Sequence, residues 1–551
     1  MKKALRLVAL WALLINTATA VWGAEGSVDR LSPDLRSANS RRGANVEVIV
    51  QYKVAPTEAH HARVAALGGR LNNRMDFIRG AHYTMPAAAL EALANDPDVA
   101  YITPNRTLGA MFDQITDQTV HSDWANQNGL TGDGIGVAII DSGVVDLPDF
   151  HSWGTDRIVY QQSFVAGNNS ATDQYGHGTH VAGILAGSGN GTVYVGIAPQ
   201  ANIVNLRVLD QNGSGTDAGV IAAINKAIAL KDQYNIKVIN LSLGRPVFES
   251  ASRDPLCQAV EAAWNTGIVV VVAAGNDGRD NTDGLSGYGT IAAPGNDPYV
   301  ITVGCIKSNG TSTMTDDRIA SYSSKGPTMF DHYVKPDIVA PGNKIVSTLP
   351  PGMTLSNEYP GNRVTGNYFT LSGTSMATPV VAGAAALAFS AMSSMTPDQV
   401  KAAMMYSAYK NFPTSSVAVD PSTGISYTSY YDVFTIGAGE LNIMAGDEMT
   451  FLPPASSAKS PVAVYNATTG QVTLQGVTGA NVVWGSNVVW GSNVVWGASA
   501  ILANNVVWGS NVVWGSSSLA GFNVVWGSNV VWGSSTTDQT ESSTLTIDGE
   551  Q

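Results

Sequence analysis

The sequence predicts an α/β domain over residues 109–447, built on a mostly parallel sheet with helices on both faces. Short apolar segments there alternate with longer segments of helical character. Strands that are apolar on both faces are typical of parallel sheets covered by helices. Such sheets collect functional groups beyond the carboxyl ends of their strands, so site residues are expected directly after the apolar segments. The apolar segments are 137–140, 203–206, 238–241 and 268–273, and the helical segments are 179–186, 217–231, 256–265 and 380–391.

The composition excludes several classes of protein. The chain has 551 residues, with 30 Lys and Arg against 43 Asp and Glu, which gives a formal net charge of −13. An acidic chain lacks the basic surface that phosphate backbones require, so no nucleic-acid partner is expected. Charged residues are only 13% of the total, which excludes charge-driven disorder for most of the chain and permits a large core.

The first 24 residues have the three parts of a secretory signal. Basic residues among the first six positions precede an apolar run over 7–15, and small residues follow through Ala20. The apolar run is too short to span a bilayer, so no transmembrane segment is expected in the mature protein. We therefore predict a secreted, extracellular protein. Cleavage after Ala20 and cleavage after Ala24 both remain open.

Cys257 and Cys305 are the two cysteines of the chain. A pair of cysteines excludes a disulfide-built scaffold and a Cys-rich metal module. Export would permit a disulfide. Because Cys257 lies in a predicted helix and Cys305 follows a predicted strand at 299–303, two separate buried thiols are the favoured interpretation.

Residues 44–108 predict a small α+β domain. The segment 46–50 alternates like a half-buried strand, and further strands are predicted at 81–85 and 99–102. Helical segments at 58–67 and 87–94 separate them. The unit ends close to Pro104.

Beyond a linker at 448–480, the chain contains a repeat region and a polar tail at 535–551. No charged residue occurs between Lys459 and Asp538, and the pentad Asn-Val-Val-Trp-Gly appears seven times in one six-residue register over 481–534. Val and Trp favour strands, and Gly-Ser suits a two-residue hairpin turn, which predicts a meander of short strands. A three-sided β-coil of six-residue windows remains the alternative. The repeats would either bind a surface, a glycan or another copy, or be removed as an aggregation-prone tail.

Three segments of the α/β domain carry side chains suited to nucleophilic chemistry. Asp141 ends an apolar strand, His177 begins a helical segment among small residues, and Ser375 lies in a Gly/Thr turn before an Ala-rich helix. Each alone suits a turn or a helix cap. Together, over about residues 113–445, they resemble the subtilisin-like serine proteases, or subtilases, in which the chain order Asp, His, Ser is known. The resemblance implies a subtilisin-like fold and peptide-bond hydrolysis through an acyl-enzyme.

The resemblance also implies the role of each side chain. A serine hydroxyl is a weak nucleophile and needs a base, so Ser375 would attack while His177 accepts its proton. Asp141 would hold the imidazole in the required tautomer. Asn276, in the turn Ala-Gly-Asn-Asp-Gly at 274–278, matches the residue that donates a hydrogen bond to the oxyanion in subtilases.

Two further segments resemble the edges between which subtilases bind an extended peptide. There the substrate adds as a strand through main-chain hydrogen bonds, which implies polypeptide substrates and broad sequence tolerance. The candidate residues are Ser242, Leu243 and Gly244 on one edge and Gly213, Ser214 and Gly215 on the other.

The small domain at 44–108 resembles the inhibitory propeptide of the same family. The resemblance implies a four-stranded sheet that acts as intramolecular inhibitor and folding template. Self-cleavage would fall within 105–113. A permanent N-terminal structural domain is the alternative.

Subtilases often bind structural calcium, and the resemblance makes Asp149 and Asn190 the candidate ligands. The loop 188–194 carries no carboxylate, whereas calcium prefers several oxygen ligands, some of them charged. The chemistry itself requires no cofactor.

These observations predict a secreted serine endopeptidase made as an autoprocessed zymogen. The alternative is a catalytically inactive subtilase scaffold that presents the repeats as a binding or assembly module. An intact set of Asp141, His177, Ser375 and Asn276 argues against the scaffold.

Overall fold

The computed structural model describes residues 30–32, 35, 45–104, 116–152, 154–280, 286–420, 423–444, 457–466, 471–475 and 549–550. The chain divides into two units, Met1–Ala110 and Met111–Gln551. Three predicted segments lie wholly outside the described residues: the signal segment at 1–24, the self-cleavage segment at 105–113 and the repeats at 481–534. The outcome of those predictions therefore stays open.

The first unit is an antiparallel sheet with two helices. Its sheet has the order β2-β3-β1-β4, and alternate residues of β1, such as Val48 and Val50, are fully buried. The strand β2 was absent from the sequence prediction because most of its residues are polar and none is buried, so no apolar alternation marks it. The elements are β1 (Asn45–Tyr52), α1 (Glu58–Ala66), β2 (Arg70–Met75), β3 (Gly80–Pro86), α2 (Leu90–Ala94) and β4 (Val99–Pro104).

The second unit is built on an eight-stranded sheet of order β13-β12-β11-β10-β5-β9-β8, with β14 also paired to β12. All neighbours are parallel except β12 and β13, so the predicted mostly parallel α/β sheet is confirmed. The sheet strands are β5 (Gly136–Asp141), β8 (Ile158–Ser163), β9 (Asn202–Arg207), β10 (Ile236–Leu241), β11 (Val269–Ala273), β12 (Ile301–Lys307), β13 (Arg318–Ile319) and β14 (Ile338–Pro341).

Shorter strands pair outside this sheet. They are β6 (His151–Ser152) with β7 (Thr155–Asp156), β15 (Ile345–Thr348) and β16 (Arg363–Thr365) with β17 (Tyr368–Leu371), β18 (Ser415–Val419) with β19 (Ser426–Tyr430), and β20 (Val462–Asn466) with β21 (Gln471–Gln475).

Helices cover the central sheet in two packed pairs. The first pair is α5 with α9 and the second is α6 with α7, and members of both pairs contact the sheet strands. Every residue of β5 and of β11 is buried, as expected for strands that are covered on both faces. The helices of this unit are α3 (Thr116–Thr119), α4 (Ser122–Gln127), α5 (His177–Ala186), α6 (Asp217–Leu230), α7 (Pro255–Asn265), α8 (Thr354–Glu358), α9 (Thr374–Ala391) and α10 (Pro397–Ser407).

The helix α9 runs through the core. Among the described residues it is the one helix long and apolar enough to cross a bilayer, and 78% of its 18-residue window is buried inside the domain. It begins six residues before the predicted start at 380, because Pro379 lies inside the helix rather than ahead of it. The structure therefore places Ser375 in the first turn of a buried helix.

Both cysteines are free and buried, as the sequence analysis favoured. The Cys257 thiol donates to Asn296 Oδ1 at 3.3 Å, and Cys305, which lies within β12, is 3.3 Å from the Tyr322 hydroxyl.

Candidate active site

The candidate residues gather at one edge of the central sheet. Asp141 is the last residue of β5, Ser242 follows β10, and Asn276 lies three residues after β11. Because β10 pairs in parallel with both β5 and β11, the carboxyl ends of these three strands are neighbours. The candidate residues therefore lie together beyond the carboxyl ends of neighbouring strands.

A buried carboxylate holds the imidazole of His177. Asp141 is fully buried, and its Oδ1 lies 2.8 Å from His177 Nδ1 while also accepting the Ser142 N–H at 2.7 Å. Burial by itself would lower the pKa of His177, but the charge of Asp141 and this hydrogen bond outweigh burial and raise that pKa above its ordinary value of 6.5. Nδ1 is therefore the protonated nitrogen, and Nε2 is left as the basic one.

The turn that carries His177 is organised by Asp173, which the sequence analysis did not identify. Asp173 is 1% exposed, and its Oδ1 accepts the Ser142 hydroxyl and the N–H groups of Tyr175 and Gly176. Its Oδ2 accepts both the N–H and the hydroxyl of Thr179. An Asp shortly before a Gly and a helix start is the signal that marks such a turn in a sequence.

Ser375 and Ser242 form a reciprocal pair. The Ser375 hydroxyl donates to the Ser242 carbonyl at 3.1 Å, and the Ser242 hydroxyl donates to the Ser375 carbonyl at 2.8 Å. In an α-helix the Ser375 carbonyl would accept the N–H of residue 379, but Pro379 has none. Ser242 thus supplies the donor that the proline lacks. Asn240 Nδ2 in turn donates to the Ser242 hydroxyl at 3.0 Å.

This pairing fixes the direction of the Ser375 hydroxyl proton. A hydroxyl has one proton to donate, and that of Ser375 goes to the Ser242 carbonyl. A hydrogen bond from Ser375 to His177 Nε2 therefore requires this hydroxyl proton to turn away from the Ser242 carbonyl. The predicted contact between these two side chains stays a prediction.

Asn276 is fastened to the start of α9. Its Oδ1 accepts the Thr374 N–H at 2.9 Å and the Thr374 hydroxyl at 3.1 Å. Because the amide oxygen is held there, the Nδ2 group is the donor end of the side chain. A Cβ placed on Gly373, whose φ is +141°, would lie 3.4 Å from that Nδ2. The donor therefore lies directly against the loop that precedes Ser375.

The two predicted substrate edges lie on loops that follow strands. Ser242 is buried, Leu243 is half-buried and Gly244 is exposed, in a segment that directly follows β10. The other edge is a tight turn in which Asp210 Oδ1 accepts the Ser214 N–H at 3.0 Å. Gly213 has φ +74° there, Ser214 and Gly215 are exposed, and a Cβ on Gly213 would lie 2.7 Å from the Tyr175 ring.

The candidate calcium ligands do not form a cation cage. The Tyr368 hydroxyl donates to Asp149 Oδ1 and lies 3.0 Å from the Gly189 carbonyl, so a phenol occupies the position between the two oxygens. Asp149 is 2% exposed, and burial raises the pKa of its carboxyl. Asn190 is exposed in the short turn Gly189–Gly191. With one carboxylate already bonded to a phenol, this donor set does not fit calcium.

A second cluster of metal-ligating side chains lies at the surface. Within the described residues, Asp146, His151 and Asp156 place one ligand atom each within 4.8 Å of one another. His151 Nε2 and Asp146 Oδ1 are already bonded at 2.6 Å. Exposed side chains satisfied by each other and by backbone are not by themselves a metal site.

We expect the Tyr368 hydroxyl to stabilise the buried Asp149 carboxyl in place of a bound cation. Tyr368→Phe should lower the free energy of unfolding by about 1–3 kcal/mol, because the buried Asp149 carboxyl loses its donor. Tyr194→Phe is the matched control, since that ring lies 4.8 Å from the Tyr368 ring. Urea unfolding of both variants measures the difference. A chelator that lowers the stability of the unaltered protein as much as Tyr368→Phe does would contradict this expectation.

Comparison with known proteins shows to which family the chain belongs. The family model described as the subtilase family, Peptidase_S8, matches residues 132–427. Serine protease AprX of Bacillus subtilis (strain 168) is 38% identical over 346 residues, covering 60% of this chain and 74% of the relative.

Two further relatives agree with this assignment. Subtilisin E of Bacillus subtilis (strain 168) is 34% identical over 346 residues, covering 61% of this chain and 77% of the relative. An alkaline protease of Alkalihalobacillus alcalophilus is 32% identical over 390 residues, covering 70% of this chain and 89% of the relative. The chain therefore belongs to the subtilase family and is a serine endopeptidase.

Proposed function

We propose that the chain is a secreted endopeptidase, made as an autoprocessed zymogen, in which Asp141, His177 and Ser375 are catalytic and Asn276 stabilises the oxyanion. The observation that carries the proposal is the 2.8 Å bond from the buried Asp141 carboxylate to His177 Nδ1. That bond leaves Nε2 of the ring basic, at the edge of the sheet where Ser242 meets the first turn of α9.

The chemical steps follow from these positions. Rotation of the Ser375 side chain transfers its hydrogen bond from the Ser242 carbonyl to His177 Nε2. Ser375 Oγ then attacks the carbonyl carbon of the scissile peptide, and His177 takes the hydroxyl proton. The resulting imidazolium is stabilised by Asp141 and passes its proton to the leaving amine. Water, activated by the same imidazole, hydrolyses the acyl-enzyme.

Hydrogen-bond donors that are already in position would stabilise the negative charge that develops on the substrate carbonyl oxygen. Asn276 is held against Gly373 by two hydrogen bonds from Thr374, so its Nδ2 does not need to reorganise during the reaction. The N-terminal turn of α9 adds backbone N–H groups to the same region.

Polypeptides are the proposed substrate class. An extended chain would add as a strand between the edge at 242–244 and the edge at 213–215, recognised chiefly through its backbone. Gly244 and Gly215 are exposed and have no side chain to obstruct that approach.

The first unit is proposed to be the propeptide that inhibits and templates the enzyme. It is a separate unit of the chain with its own four-stranded sheet and its own buried core. Self-cleavage within 105–113 would release it. Export through the segment 1–24, and surface association through the repeats, belong to the same proposal.

An inactive scaffold remains the second candidate function. The observation that favours it is the bond from the Ser375 hydroxyl to the Ser242 carbonyl, which directs the proton away from His177. If the Ser375 hydroxyl always kept this bond, it would not attack a substrate, and the chain would serve only to present its repeats.

Covalent labelling of Ser375 distinguishes an active endopeptidase from an inactive scaffold. A fluorophosphonate should label the full chain on Ser375, because only an activated hydroxyl displaces fluoride at neutral pH. Ser375→Ala should abolish labelling and accumulate the uncut precursor. Ser407→Ala is the matched control, since that hydroxyl donates to a carbonyl of its own helix. Full chain that neither labels nor processes would favour the scaffold.

The pH dependence tests the role of His177. The imidazole must be neutral to accept a proton, so kcat/KM should fall as the pH drops through the pKa of His177. Because Asp141 raises that pKa, the midpoint should lie above 6.5. Asp141→Asn should move the midpoint to lower pH and lower kcat by about 10⁴-fold. His151→Gln, at a half-buried histidine that bonds Asp146, should leave the profile unchanged. A flat profile between pH 5 and 8 would refute the assignment.

Asp173 is expected to act as a positioning residue. Asp173→Asn keeps one acceptor oxygen but replaces the other by an amide that cannot accept from Thr179. The charge of Asp173 also raises the pKa of His177. We therefore expect lower kcat together with an acid midpoint shifted to lower pH, by less than in Asp141→Asn. Asp156→Asn, at an exposed position of β7, is the control. A loss of stability in Asp173→Asn with no change in the pH profile would show a purely structural role.

A further inference from the structure

Gly549 and Glu550 lie in a pocket of the second unit that the proposed function does not use. Glu550 is 6% exposed. Its Oε2 accepts the Ser321 N–H at 2.7 Å and the Ser321 hydroxyl at 2.6 Å. Two cations flank the carboxylate, with Arg279 Nη2 3.7 Å from Oε2 and Lys307 Nζ 3.6 Å from Oε1. We name Arg279, Lys307, Ser321 and Asn343 the acid pocket.

The acid pocket also binds the peptide group of Glu550. The Glu550 N–H donates to Asn343 Oδ1 at 2.7 Å, and Asn343 Nδ2 donates to the Glu550 carbonyl at 3.0 Å. Asn343 is 7% exposed, so both bonds are shielded from water. A carboxylate with a peptide group beside it is thus recognised at two separate points.

The residue before the glutamate is also specified. Gly549 has φ +75°, a conformation that favours glycine, and a Cβ there would lie 2.6 Å from Lys344 Cγ and from Ser372 Oγ. Any side chain there would have to displace Lys344 and Ser372 or shift the segment itself. The pocket is therefore fitted to glycine followed by glutamate.

The acid pocket lies beside the loop that carries the nucleophile. Lys307 ends β12, and Asn343 follows β14, which pairs in parallel with β12. The Gly373 N–H donates to the Gly342 carbonyl at 2.8 Å, so the two loops are bonded to each other. Ser372, against which Gly549 packs, is three residues from Ser375.

The chain is also held before the repeats. Ser460 Oγ is 2.7 Å from Asp337 Oδ1, and the Val334 N–H donates to the Pro461 carbonyl at 2.8 Å. The Ala458 N–H donates to Asp398 at 2.6 Å. The segment 457–463 is therefore fixed to the same domain that holds Glu550.

We propose that the acid pocket is a receptor for the chain's own Gly549–Glu550, which ties the far side of the repeat region to the catalytic domain. Residues 476–548 are then connected to that domain at both ends. A single cut within the repeats does not release the distal fragment, since the acid pocket retains it. Glu550 joins the buried pair of Arg279 and Asp420, whose charged atoms are 3.3 Å apart, and an anion suits a site with two cations.

The test uses the full chain as Ser375→Ala, so that self-digestion does not interfere. A recognition site for a sequence-specific protease is inserted between Ser517 and Ser518, the protein is cut, and the fragments are separated by gel filtration without denaturant. We expect the distal fragment to co-elute with the catalytic domain. Glu550→Gln and Gly549→Ala should each weaken its retention about tenfold or more, because a charged hydrogen-bonded contact or the fit of the backbone is lost.

Glu541→Gln is the matched control and should leave the fragment bound. A free peptide with the sequence of residues 544–551 should displace the fragment, and the same peptide carrying E550Q should not. Separate elution of the fragment from the parent protein would overturn the proposal. Equal co-elution of all variants would overturn it too, because the repeats and not the acid pocket would then hold the fragment. Neither result depends on whether Ser375 is the nucleophile.

Discussion

The parallel pairing of β10 with both β5 and β11 is the constraint on which the site depends. Those pairings bring the carboxyl ends of three strands together, and each end carries one functional group: Asp141, Ser242 or Asn276. The strands are buried on both faces, so a shift of any one of them would expose apolar side chains or bury polar ones. The packing of the core therefore also fixes the relative positions of these three groups.

The start of α9 is the second determinant, and a single proline accounts for its form. Pro379 leaves the Ser375 carbonyl without its helical donor, and the Ser242 hydroxyl replaces it. The same two residues exchange a second bond through the Ser375 hydroxyl. Ser242 thus bonds both the backbone carbonyl and the side-chain hydroxyl of Ser375. In the proposed reaction the Ser375 hydroxyl turns away from Ser242, while the bond from the Ser242 hydroxyl to the Ser375 carbonyl does not have to break.

The local sequence pattern was sufficient to predict some of these elements and insufficient to predict others. Three elements were predictable: strands β5 and β11 and helix α6. The apolar and helical patterns that mark them lie within a few consecutive residues. The polar edge strand β2 and the early start of α9 were not, since partners distant in sequence determine them. Tyr368 and Glu550 were missed for the same reason: the phenol that bonds Asp149 is 219 residues away from it, and Glu550 is 229 residues from Ser321. Asp173 was missed although Tyr175, Gly176 and Thr179, which donate to it, are its near neighbours in sequence.

A crystal structure of the enzyme with a peptide boronic acid bound would test the catalytic assignment most directly. Ser375 Oγ should be bonded to boron and no longer to the Ser242 carbonyl, with His177 Nε2 within hydrogen-bond distance of the adduct. One boron oxygen should lie about 2.7–3.1 Å from Asn276 Nδ2. An adduct on another residue, or Ser375 still bonded to Ser242 beside an unreacted ligand, would contradict the account.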